Sequence, residues 1–405
     1  MKPGYKQTEV GVIPEDWEVA KLSKVCAMKS GRGITSANID QFSQYACYGG
    51  NGLRGFTSSF THDGRFALIG RQGALCGNVL SVEGKFFASE HAVVVTASAR
   101  TDVRWLSFLL GEMRLNRYSE SSAQPGLSVS KLLSLELAVP PTKTEQESIA
   151  VALSDADVLI ESLKQLIIKQ RRIKQGAMQE LLNGKKRLPE FEVRHGHKQT
   201  EVGLIPEDWG VVSAFEACSK IQDGTHFSPQ SGGRDYLYVT SRNIRFGHLD
   251  LSTAGWIDTA QHQAIYQRCD VKKGDLLLTK DGANTGNVAL NTLAEEFSLL
   301  SSVAFLRFDP SKHCAAYFLQ QVLTSQSQRQ IQDAMAGNAI TRLTLDKINK
   351  LRFPVPPTKA EQAAIAAILS DMDVEINALE AKLIKAQQIK QGMMQELLTG
   401  KVRLV

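Results

Sequence analysis

The sequence predicts an α+β protein in which two α/β domains are joined by two long helices packed as an antiparallel coiled coil, with a pseudo-two-fold internal repeat. Two repeated blocks predict this architecture. Residues 6–17, KQTEVGVIPEDW, recur at 198–209 as KQTEVGLIPEDW, shifted by 192 positions. Residues 139–188 have a close copy at 355–404, shifted by 216 positions without a gap. The stretches between these blocks share little similarity, so we infer a tandem duplication that kept its frame while its inserts diverged.

Each long repeat begins with the signals of a helix N-terminus. Thr142 and Glu145 form a capping-box pattern after a Pro-Pro pair, and Thr358 and Glu361 repeat it in the second copy. Apolar residues then recur at steps of four and three, which is heptad spacing. They are Ile149, Leu153, Ala156, Ile160, Leu163 and Ile167, and in the second copy Ile365, Leu369, Met372, Ile376, Leu379 and Leu383.

A helix of about 38 residues spans ~57 Å, which exceeds the size of a compact core. A helix with one apolar stripe also needs a partner, and the best partner in this chain is the other copy. Similar heptad faces can pair across a two-fold, so helices over 143–183 and 359–399 are predicted to run antiparallel. The corresponding boundaries are 1–141 and 189–357 for the two α/β domains, and 142–188 and 358–405 for the helical spacers.

A glycine interrupts the later part of each predicted helix, at Gly176 and Gly392, and the apolar seam shifts there. One interpretation is a helix-packing glycine or a local break in the helix. The other is a position where a partner protein approaches the helix. The sequence leaves both interpretations open.

The divergent segments are typical of mixed α/β structure with many glycine turns. Strands are predicted over 66–69, 92–96, 236–240, 275–279 and 303–308, and amphipathic helices over 105–118 and 315–331. A weak internal correspondence survives between 68–79 and 277–288. In both stretches a strand enters a glycine-rich loop with a basic residue and an amide, and a second strand follows. The two domains are therefore expected to share a fold while exposing different loop chemistry.

The composition is that of an ordinary soluble globular protein, with 43% hydrophobic and 22% charged residues in a chain of 405. No run of about 18 apolar residues predicts a membrane span, and the N-terminal stretch lacks an apolar signal region. Six cysteines without C-x-x-C spacing favour a reduced, cytoplasmic protein, with Cys26 and Cys218 as small core residues at equivalent repeat positions. The net charge of +5 permits nucleic-acid binding without requiring it.

The loops are rich in side chains that read DNA. Arginine can donate two hydrogen bonds to guanine, and asparagine or glutamine can bond adenine in the same bidentate way, while lysine and arginine also neutralise phosphates. The candidate DNA-binding residues are Lys29, Arg32, Arg54, Arg71, Gln72 and Asn78 in the first domain, and His226, Arg242, Asn243, Arg245, Lys280, Asn284 and Asn287 in the second. Surface loops carry such residues in any soluble protein, but Arg71 and Lys280 occupy matching places in the two glycine loops. We therefore predict that these two residues lie on DNA-facing loops.

The sequence lacks the motifs of the common catalytic sites. It contains no G-x-x-x-x-G-K-[ST] motif of a P-loop translocase and no G-x-S-x-G or H-E-x-x-H motif of a hydrolase. The VPPT runs lack the residues that flank the Pro-Pro pair of adenine methyltransferases. The surroundings of the IPEDW carboxylates change between copies, which disfavours a metal nuclease. His195 and His197 form an H-x-H pair in a linker, but no other metal-type residues cluster there, so a zinc site is not expected. No catalytic residue, metal or cofactor is expected.

The order of these blocks resembles a known family. A variable segment headed by IPEDW and a long helix opened by PPTKxEQ, each present twice, make the whole chain similar to the specificity subunit of type I restriction–modification systems. The resemblance implies that each variable segment is a target-recognition domain for one half of a bipartite, asymmetric site in double-stranded DNA. It also implies that the helices act as a spacer and as the docking surface for two methyltransferase subunits. Adenine methylation would then belong to those subunits, and ATP-driven translocation and cleavage to restriction subunits.

Three hypotheses about function follow from the sequence. The leading one is a non-catalytic DNA-recognition subunit. The alternative is a coiled-coil adaptor whose two heads bind proteins, and salt-dependent binding to a two-part DNA sequence would distinguish the two. A third hypothesis, a self-sufficient nuclease or methyltransferase, requires cofactor binding or turnover by the isolated chain, and the motif content does not support it.

Overall fold

The computed structural model describes residues 3–73, 75–119, 126–192, 196–227, 229, 232–335 and 342–404. The chain divides into two compact units, of which unit 1 comprises Met1–Gln165 with Glu380–Val405 and unit 2 comprises Leu166–Leu379. Both boundaries fall inside the long helices, so each unit contains the beginning of one long helix and the end of the other.

Unit 1 contains one large mixed sheet with short helices. Its strands are β1 (Tyr5–Thr8), β2 (Gly11–Pro14), β3 (Glu18–Lys21), β4 (Cys26–Ser30), β5 (Tyr45–Gly49), β6 (Gly52–Thr57), β7 (His62–Gly70), β8 (Val79–Ala88), β9 (Ala92–Ala97) and β10 (Glu136–Val139). Its helices are α1 (Leu22–Val25), α2 (Val103–Glu112), α3 (Val129–Leu133) and the first part of α4 (Lys143–Leu181), with 3-10 turns at Ser36–Asn38 and Leu115–Tyr118. The large sheet has the order β4-β9-β7-β8-β5-β6 and is antiparallel except for the β5–β8 pair, while β1 pairs with β2 and β3 with β10.

Unit 2 distributes its strands over several smaller sheets. Its strands are β11 (His197–Thr200), β12 (Gly203–Pro206), β13 (Gly210–Ser213), β14 (Cys218–Asp223), β15 (Tyr236–Val239), β16 (Gly255–Ile257), β17 (Leu276–Thr279), β18 (Val288–Leu290), β19 (Ser298–Leu299), β20 (Val303–Phe308) and β21 (Arg352–Val355). Its helices are α5 (Ala214–Ala217), α6 (Thr259–Tyr266), α7 (Ala315–Val322), α8 (Ser325–Met335), α9 (Leu345–Asn349) and the first part of α10 (Lys359–Leu397), with a 3-10 turn at Pro189–Phe191. The sheet orders are β14-β20-β17-β18, β16-β15-β19, β13-β21 and β11-β12.

Within unit 1 the two long helices run in opposite directions. Lys390 of α10 lies 2.6 Å from the carboxylate of Asp157 in α4. Closer to the start of α4, Glu145 binds Arg403, which follows the end of α10, with an Nε–Oε1 distance of 2.5 Å. The lower residue number in the α4 segment is paired with the higher residue number in the α10 segment, so the two helices are antiparallel.

Unit 2 repeats these contacts with the two helices exchanged. Lys174 of α4 lies 2.5 Å from Asp373 of α10, and Arg187 lies 2.7 Å from Glu361. The apolar seam is buried or half-buried along both helices, and Leu153 and Leu369 have no exposed surface. The predicted antiparallel coiled coil is therefore confirmed, and the observed helix limits agree with those expected from the sequence.

The IPEDW block and the glycine that follows each long helix pack against one another. Gly400 has a left-handed φ of +71°, and a Cβ there would lie 2.6 Å from Pro14 and 3.1 Å from Trp17. Gly184 has the same relation to the second block, at Pro206 and Trp209. Each IPEDW block is thus the seat for the end of a long helix, which explains why both blocks are repeated together.

The helix glycines do not interrupt the helices. Gly176 lies inside α4 and Gly392 inside α10, so the interpretation as a local break is wrong. A Cβ at either position would meet no atom of the described chain within 4 Å, so close helix packing does not require glycine there. The other interpretation, an approach by a partner protein, remains a prediction.

Two predicted helices are shorter than their apolar patterns. The helix expected over 105–118 ends at Glu112, because Arg114 adopts a left-handed backbone with φ +48°. The helix expected over 315–331 splits into α7 and α8. Thr324 lies between them and accepts a hydrogen bond from the backbone N–H of Ser327, which caps the second helix.

A cluster of charged side chains predicts an acid-sensitive step in the stability of unit 2. Its cations, Lys220 and Arg307, lie on β14 and β20, and its carboxylates, Asp270 and Asp275, lie in the segment between α6 and β17. Arg307 binds Asp275 through its Nε and Nη2 (2.9 and 2.8 Å), and its Nη1 donates to Asp270 (3.1 Å). Burial alone would raise the pKa of Asp270, but hydrogen bonds from Lys220 and Arg307 outweigh burial and lower the pKa to about 2. The carboxylate therefore contributes stability above its usual pKa of 3.8, and this contribution is lost as the pH falls towards 2.

We expect D270N to flatten the pH dependence of unfolding between about pH 5 and about pH 2. The measurement is urea unfolding across that range, followed by circular dichroism. D235N, which changes a carboxylate outside the cluster, is the control. Equal slopes for wild type and D270N would contradict the assignment.

Candidate nucleic-acid interface

Four loops meet at one end of the strands of the large sheet in unit 1, and we call this end the loop edge. They are the end of β4, the β5–β6 turn, the loop after β7 and the β8–β9 connection. The backbone N–H of Arg71 donates to the carbonyl of His91 (2.9 Å). A Cβ on Gly31 would lie 2.3 Å from the carbonyl oxygen of Ala88, and one on Gly50 would lie 3.1 Å from a carbonyl oxygen of the loop after β7. Backbone contacts thus hold these loops together and leave their side chains available.

The side chains at this edge are mostly polar and accessible. Arg71 is half-buried, and its Nη1 donates to the hydroxyl of Ser30 (3.2 Å). Gln72 is exposed, with its Oε1 3.1 Å from Nδ1 of His91. The remaining candidates of the first domain, which are exposed, are Lys29 in β4, Arg32 after it, Arg54 in β6 and Asn78 before β8.

A polar cleft of about 890 Å³ opens beside Arg32. Glu90 lines it and accepts a hydrogen bond from the backbone N–H of Ile34 (3.3 Å). Asp40 lines it as well, and hydrogen bonds from Ser43 lower the pKa of its carboxyl. The cleft offers both donors and acceptors, which is the combination that recognition of base edges requires.

The loop after β17 in unit 2 has the same backbone as the loop after β7 in unit 1. In unit 1, the N–H of Gly70 donates to Asn78 (2.9 Å) and that of Gly77 to Gly70 (2.8 Å). In unit 2, Thr279 and Gly286 make the equivalent bonds at 2.8 and 2.9 Å. The sequence correspondence between the two loops is confirmed by this backbone, although Ala74 within it lies outside the described residues.

Lys280 occupies the place of Arg71, but its side chain is buried. The residue is 2% exposed, and its Nζ lies 2.9 Å from Asp281 and 3.4 Å from Asp223. An ammonium enclosed by two carboxylates is part of an internal ion cluster. That this loop faces DNA remains a prediction, but the Lys280 ammonium itself is held by carboxylates.

Two asparagines of unit 2 hold loops together rather than facing solvent. Asn243 is 1% exposed, with Oδ1 accepting from the N–H of Thr240 (3.0 Å) and Nδ2 donating to the carbonyl of Asp250 (3.0 Å). Asn287 is half-buried and donates to the carbonyl of Ile244 (3.1 Å). Asn243 is therefore not accessible for base contacts, which corrects its place among the candidates.

The other candidates of the second domain are exposed: His226, Arg242, Arg245 and Asn284. Arg245 lies 3.2 Å from Asp250, and His226 lies 3.5 Å from Asp223. These side chains keep the chemistry that the sequence assigned to them. Nothing in the structure tests whether they touch DNA, so their role remains a prediction.

The IPEDW carboxylates have structural partners. Asp16 lies 2.9 Å from Arg403, and Asp208 lies 2.7 Å from Arg187. Across the described ranges no group of three or more His, Cys, Asp or Glu side chains is arranged to hold a metal ion. His195 of the H-x-H pair lies outside those ranges. Within them, no helix is both long and apolar enough to cross a membrane.

A family model for the Type I restriction modification DNA specificity domain matches residues 14–170 and 207–390. The chain belongs to this family. The two matched stretches contain both variable segments and most of both long helices, so the family match follows the internal repeat.

Relatives of this specificity chain include two curated proteins. It is 23% identical over 421 residues to the type I restriction enzyme MjaVIII specificity subunit of Methanocaldococcus jannaschii, covering 97% of this chain and 94% of that one. It is 43% identical over 149 residues to the EcoprrI specificity subunit of Escherichia coli, which covers 36% of this chain and 37% of the relative. The second match thus spans just over a third of either protein.

A solved structure shows the same fold. The S subunit of a type I restriction–modification system from M. genitalium aligns with a TM-score of 0.68 and 16% identity. The alignment covers 98% of this specificity chain and 99% of the other. The family's architecture therefore extends over the whole chain.

Proposed function

We propose that this chain is the DNA-recognition subunit of a type I restriction–modification complex. Residues 1–141 and 189–357 act as target-recognition domains, each for one half of a bipartite, asymmetric site in double-stranded DNA. Residues 142–188 and 358–405 act as spacers and docking elements. Catalysis belongs to partners, with two methyltransferase subunits that methylate adenine and restriction subunits that translocate and cleave DNA.

The observation that carries this proposal is the pair of glycine loops. Their backbone hydrogen bonds are the same, but one presents Arg71 and Gln72 where the other has Lys280 and Asp281. A conserved backbone with different side chains is what two readers of different base sequences need. A protein-binding adaptor would not require this backbone twice beside clusters of Arg, Asn and Gln.

An uncovered apolar face on the helices supports partner docking. In unit 1, Leu159 is 53% exposed and Ile389 is 52% exposed. Both line a groove of about 500 Å³ between α4 and α10, rimmed by Asp155, Lys382 and Lys385. An apolar groove with a charged rim fits the apolar side of a partner helix. We assign it to a methyltransferase subunit.

Two of the equivalent positions in unit 2 have different chemistry, although Ile173 stands where unit 1 has Ile389. Glu375 stands where unit 1 has Leu159, and Gln170 stands where it has Ala386. The amide of Gln170 donates to the carboxylate of Glu375 (3.1 Å), so a polar pair lies across the helices there. The two docking surfaces are therefore chemically unequal.

The proposal is tested with the subunit co-expressed with its methyltransferase. The methylated motif of the host genome, read by methylome sequencing, should consist of two unlike parts separated by an unread gap. Binding of duplexes with that motif should weaken steeply with salt, because released counterions contribute to affinity. A single continuous motif would contradict the bipartite proposal, and the absence of salt-dependent binding to such duplexes would favour the adaptor alternative.

Replacing Arg71 by alanine should weaken DNA binding about 5-fold to 150-fold if the guanidinium bonds a base, and less if it contacts a phosphate only. The loss should be confined to substitutions in one half-site. The matched control is R65A on β7, the strand that precedes this loop, where Arg65 pairs with Glu83. Fluorescence titration of duplexes measures both, and unchanged affinity for R71A would assign the loop to structure.

A further inference from the structure

The buried cation Lys280 is joined to a second, exposed cation through one carboxylate. Asp281 places its Oδ2 2.9 Å from the Lys280 ammonium and its Oδ1 2.9 Å from Nε of Arg342. The Lys280 side chain is 3% exposed, whereas that of Arg342 is 48% exposed. Together with Asp223, these residues form a chain of alternating charges that begins in the interior and ends at the surface.

The corresponding place in unit 1 has the opposite arrangement. Gln72 forms an isolated β-bridge with Gly126, and the same bridge in unit 2 joins Asp281 to Arg342. The residue after each bridge partner confirms this register. Leu127 donates its N–H to the carbonyl of Arg71, and Leu343 donates to that of Lys280, both at 3.0 Å.

The accessible cation therefore lies on opposite sides of the equivalent β-bridge in the two units. In unit 1 the cation is Arg71, next to the bridge residue Gln72, and the bridge partner of Gln72 is Gly126, which has no side chain. In unit 2 the residue equivalent to Arg71, Lys280, is buried, and the bridge partner of Asp281 is the exposed Arg342. Arg342 is not among the candidates predicted from the sequence, since no local pattern distinguishes it from other surface arginines.

We infer that Arg342 is the base-contacting residue of this loop in unit 2 and that Lys280 is a positioning residue that acts through Asp281. This inference rests on the proposed function of the chain as a DNA reader. Asp281 faces the Nε side of the guanidinium, which leaves Nη1 and Nη2 for the O6 and N7 of a guanine in the second half-site. Lys280 offsets the carboxylate charge of Asp281, which would otherwise repel the phosphates of DNA.

Fixing the guanidinium before binding also favours recognition. A free arginine loses rotamer freedom when it binds, and an ion pair that already holds the side chain reduces this loss. A point charge such as lysine at position 342 would keep the attraction to DNA but would lose the two-bond geometry. The pair of variants R342A and R342K therefore separates charge from base reading.

The experiment uses the full chain with its methyltransferase and duplexes that carry each base at every position of the second half-site. R342A should lose about tenfold to hundredfold affinity for the preferred duplex, with the discrimination of guanine lost at one position and the first half-site unaffected. R342K should bind more tightly than R342A but should not restore discrimination. D281N should reduce discrimination without abolishing binding, because the guanidinium is then less firmly held.

The matched control is R329A, which removes the same charge from an exposed arginine of α8 in the same unit. Equal losses for R342A and R329A, or a loss spread over both half-sites, would overturn the inference and assign Arg342 a general electrostatic role. Thermal unfolding of each variant confirms that it is folded. If wild type itself shows no sequence-specific binding, the proposed function fails, and this result is distinct from a normal wild type with an unaffected R342A.

Discussion

Replacing Arg187 by alanine should lower the free energy of unfolding by about 3–5 kcal/mol, as expected when one partner of a buried ion pair is removed. The Arg187 side chain is 9% exposed and that of Glu361 is 1% exposed. The guanidinium donates to both oxygens of Glu361, at 2.8 and 2.7 Å, and to Asp208 at 2.7 Å. Without it, Glu361 remains as an unpaired carboxylate in the interior of unit 2.

Urea unfolding followed by circular dichroism measures this loss. The repeat supplies the matched variant R403A, because Arg403 makes the equivalent contacts to Glu145 and Asp16 in unit 1. The Arg403 side chain is 27% exposed, so water can replace part of the contact and a smaller loss is expected. A double change, R187M with E361Q, should recover part of the stability, since it removes both charges of the most buried pair and leaves only Asp208, whose side chain is 20% exposed, without its arginine. A loss below about 1 kcal/mol for R187A would show that the pair behaves like a surface ion pair.

Lengthening both long helices should change the gap of the DNA site. If these helices set the distance between the two recognition surfaces, four inserted residues add about one helical turn and ~6 Å, close to two base-pair steps of ~3.4 Å. An insertion near Gln170 alone would move Lys174 away from Asp373 and break the pairing in unit 2. The insertions therefore belong in both helices, after Gln165 and after Ala381, which lie midway between the two ion pairs along the chain.

Methylome sequencing of the doubly lengthened protein with its methyltransferase reads the result directly. Both half-site sequences should persist while the unread gap grows by one or two base pairs, and methylation at the original gap should be lost. Insertion in α4 alone is the control and should abolish methylation. Persistence of the original gap in the double variant would show that the helices do not set the distance between the half-sites and serve only to dock the methyltransferase.

The long helices could be predicted because their information is local. Thr142, the heptad residues and Gly184 follow one another along the chain, and the structure keeps these limits. One detail differed, because Thr142 accepts the N–H of Glu145 but the Glu145 carboxylate binds Arg403 instead of closing the capping box. Arg403 is far away in sequence, so only the folded helix pair brings it to this carboxylate.

The chemistry of the loops could be predicted only in part. The positions of Arg71 and Lys280 followed from the glycine pattern, and both lie on loops of the same backbone. The burial of the Lys280 ammonium involves Asp223, which belongs to a strand distant in sequence. Asn243 differs, since the groups that its side chain bonds, the N–H of Thr240 and the carbonyl of Asp250, lie within seven residues of it. The burial of a charged side chain whose partner is distant in sequence therefore cannot be predicted from its local sequence.

Unit 1 is formed by two segments that are far apart in the sequence, Met1–Gln165 and Glu380–Val405, and this has a consequence for synthesis on the ribosome. The hydroxyl of Tyr5 donates to the carbonyl of Gly400 (3.2 Å), and Trp17 lies in the same core as Leu397. At translation rates of roughly 5–20 residues per second, the first segment waits on the order of ten to fifty seconds for the last helix to emerge. Unit 2, which is continuous in the chain, is complete before that helix is finished. Residues 1–165 are thus made before unit 2 but complete their core after it, and during this interval the apolar residues that pack against the end of α10 have no partner.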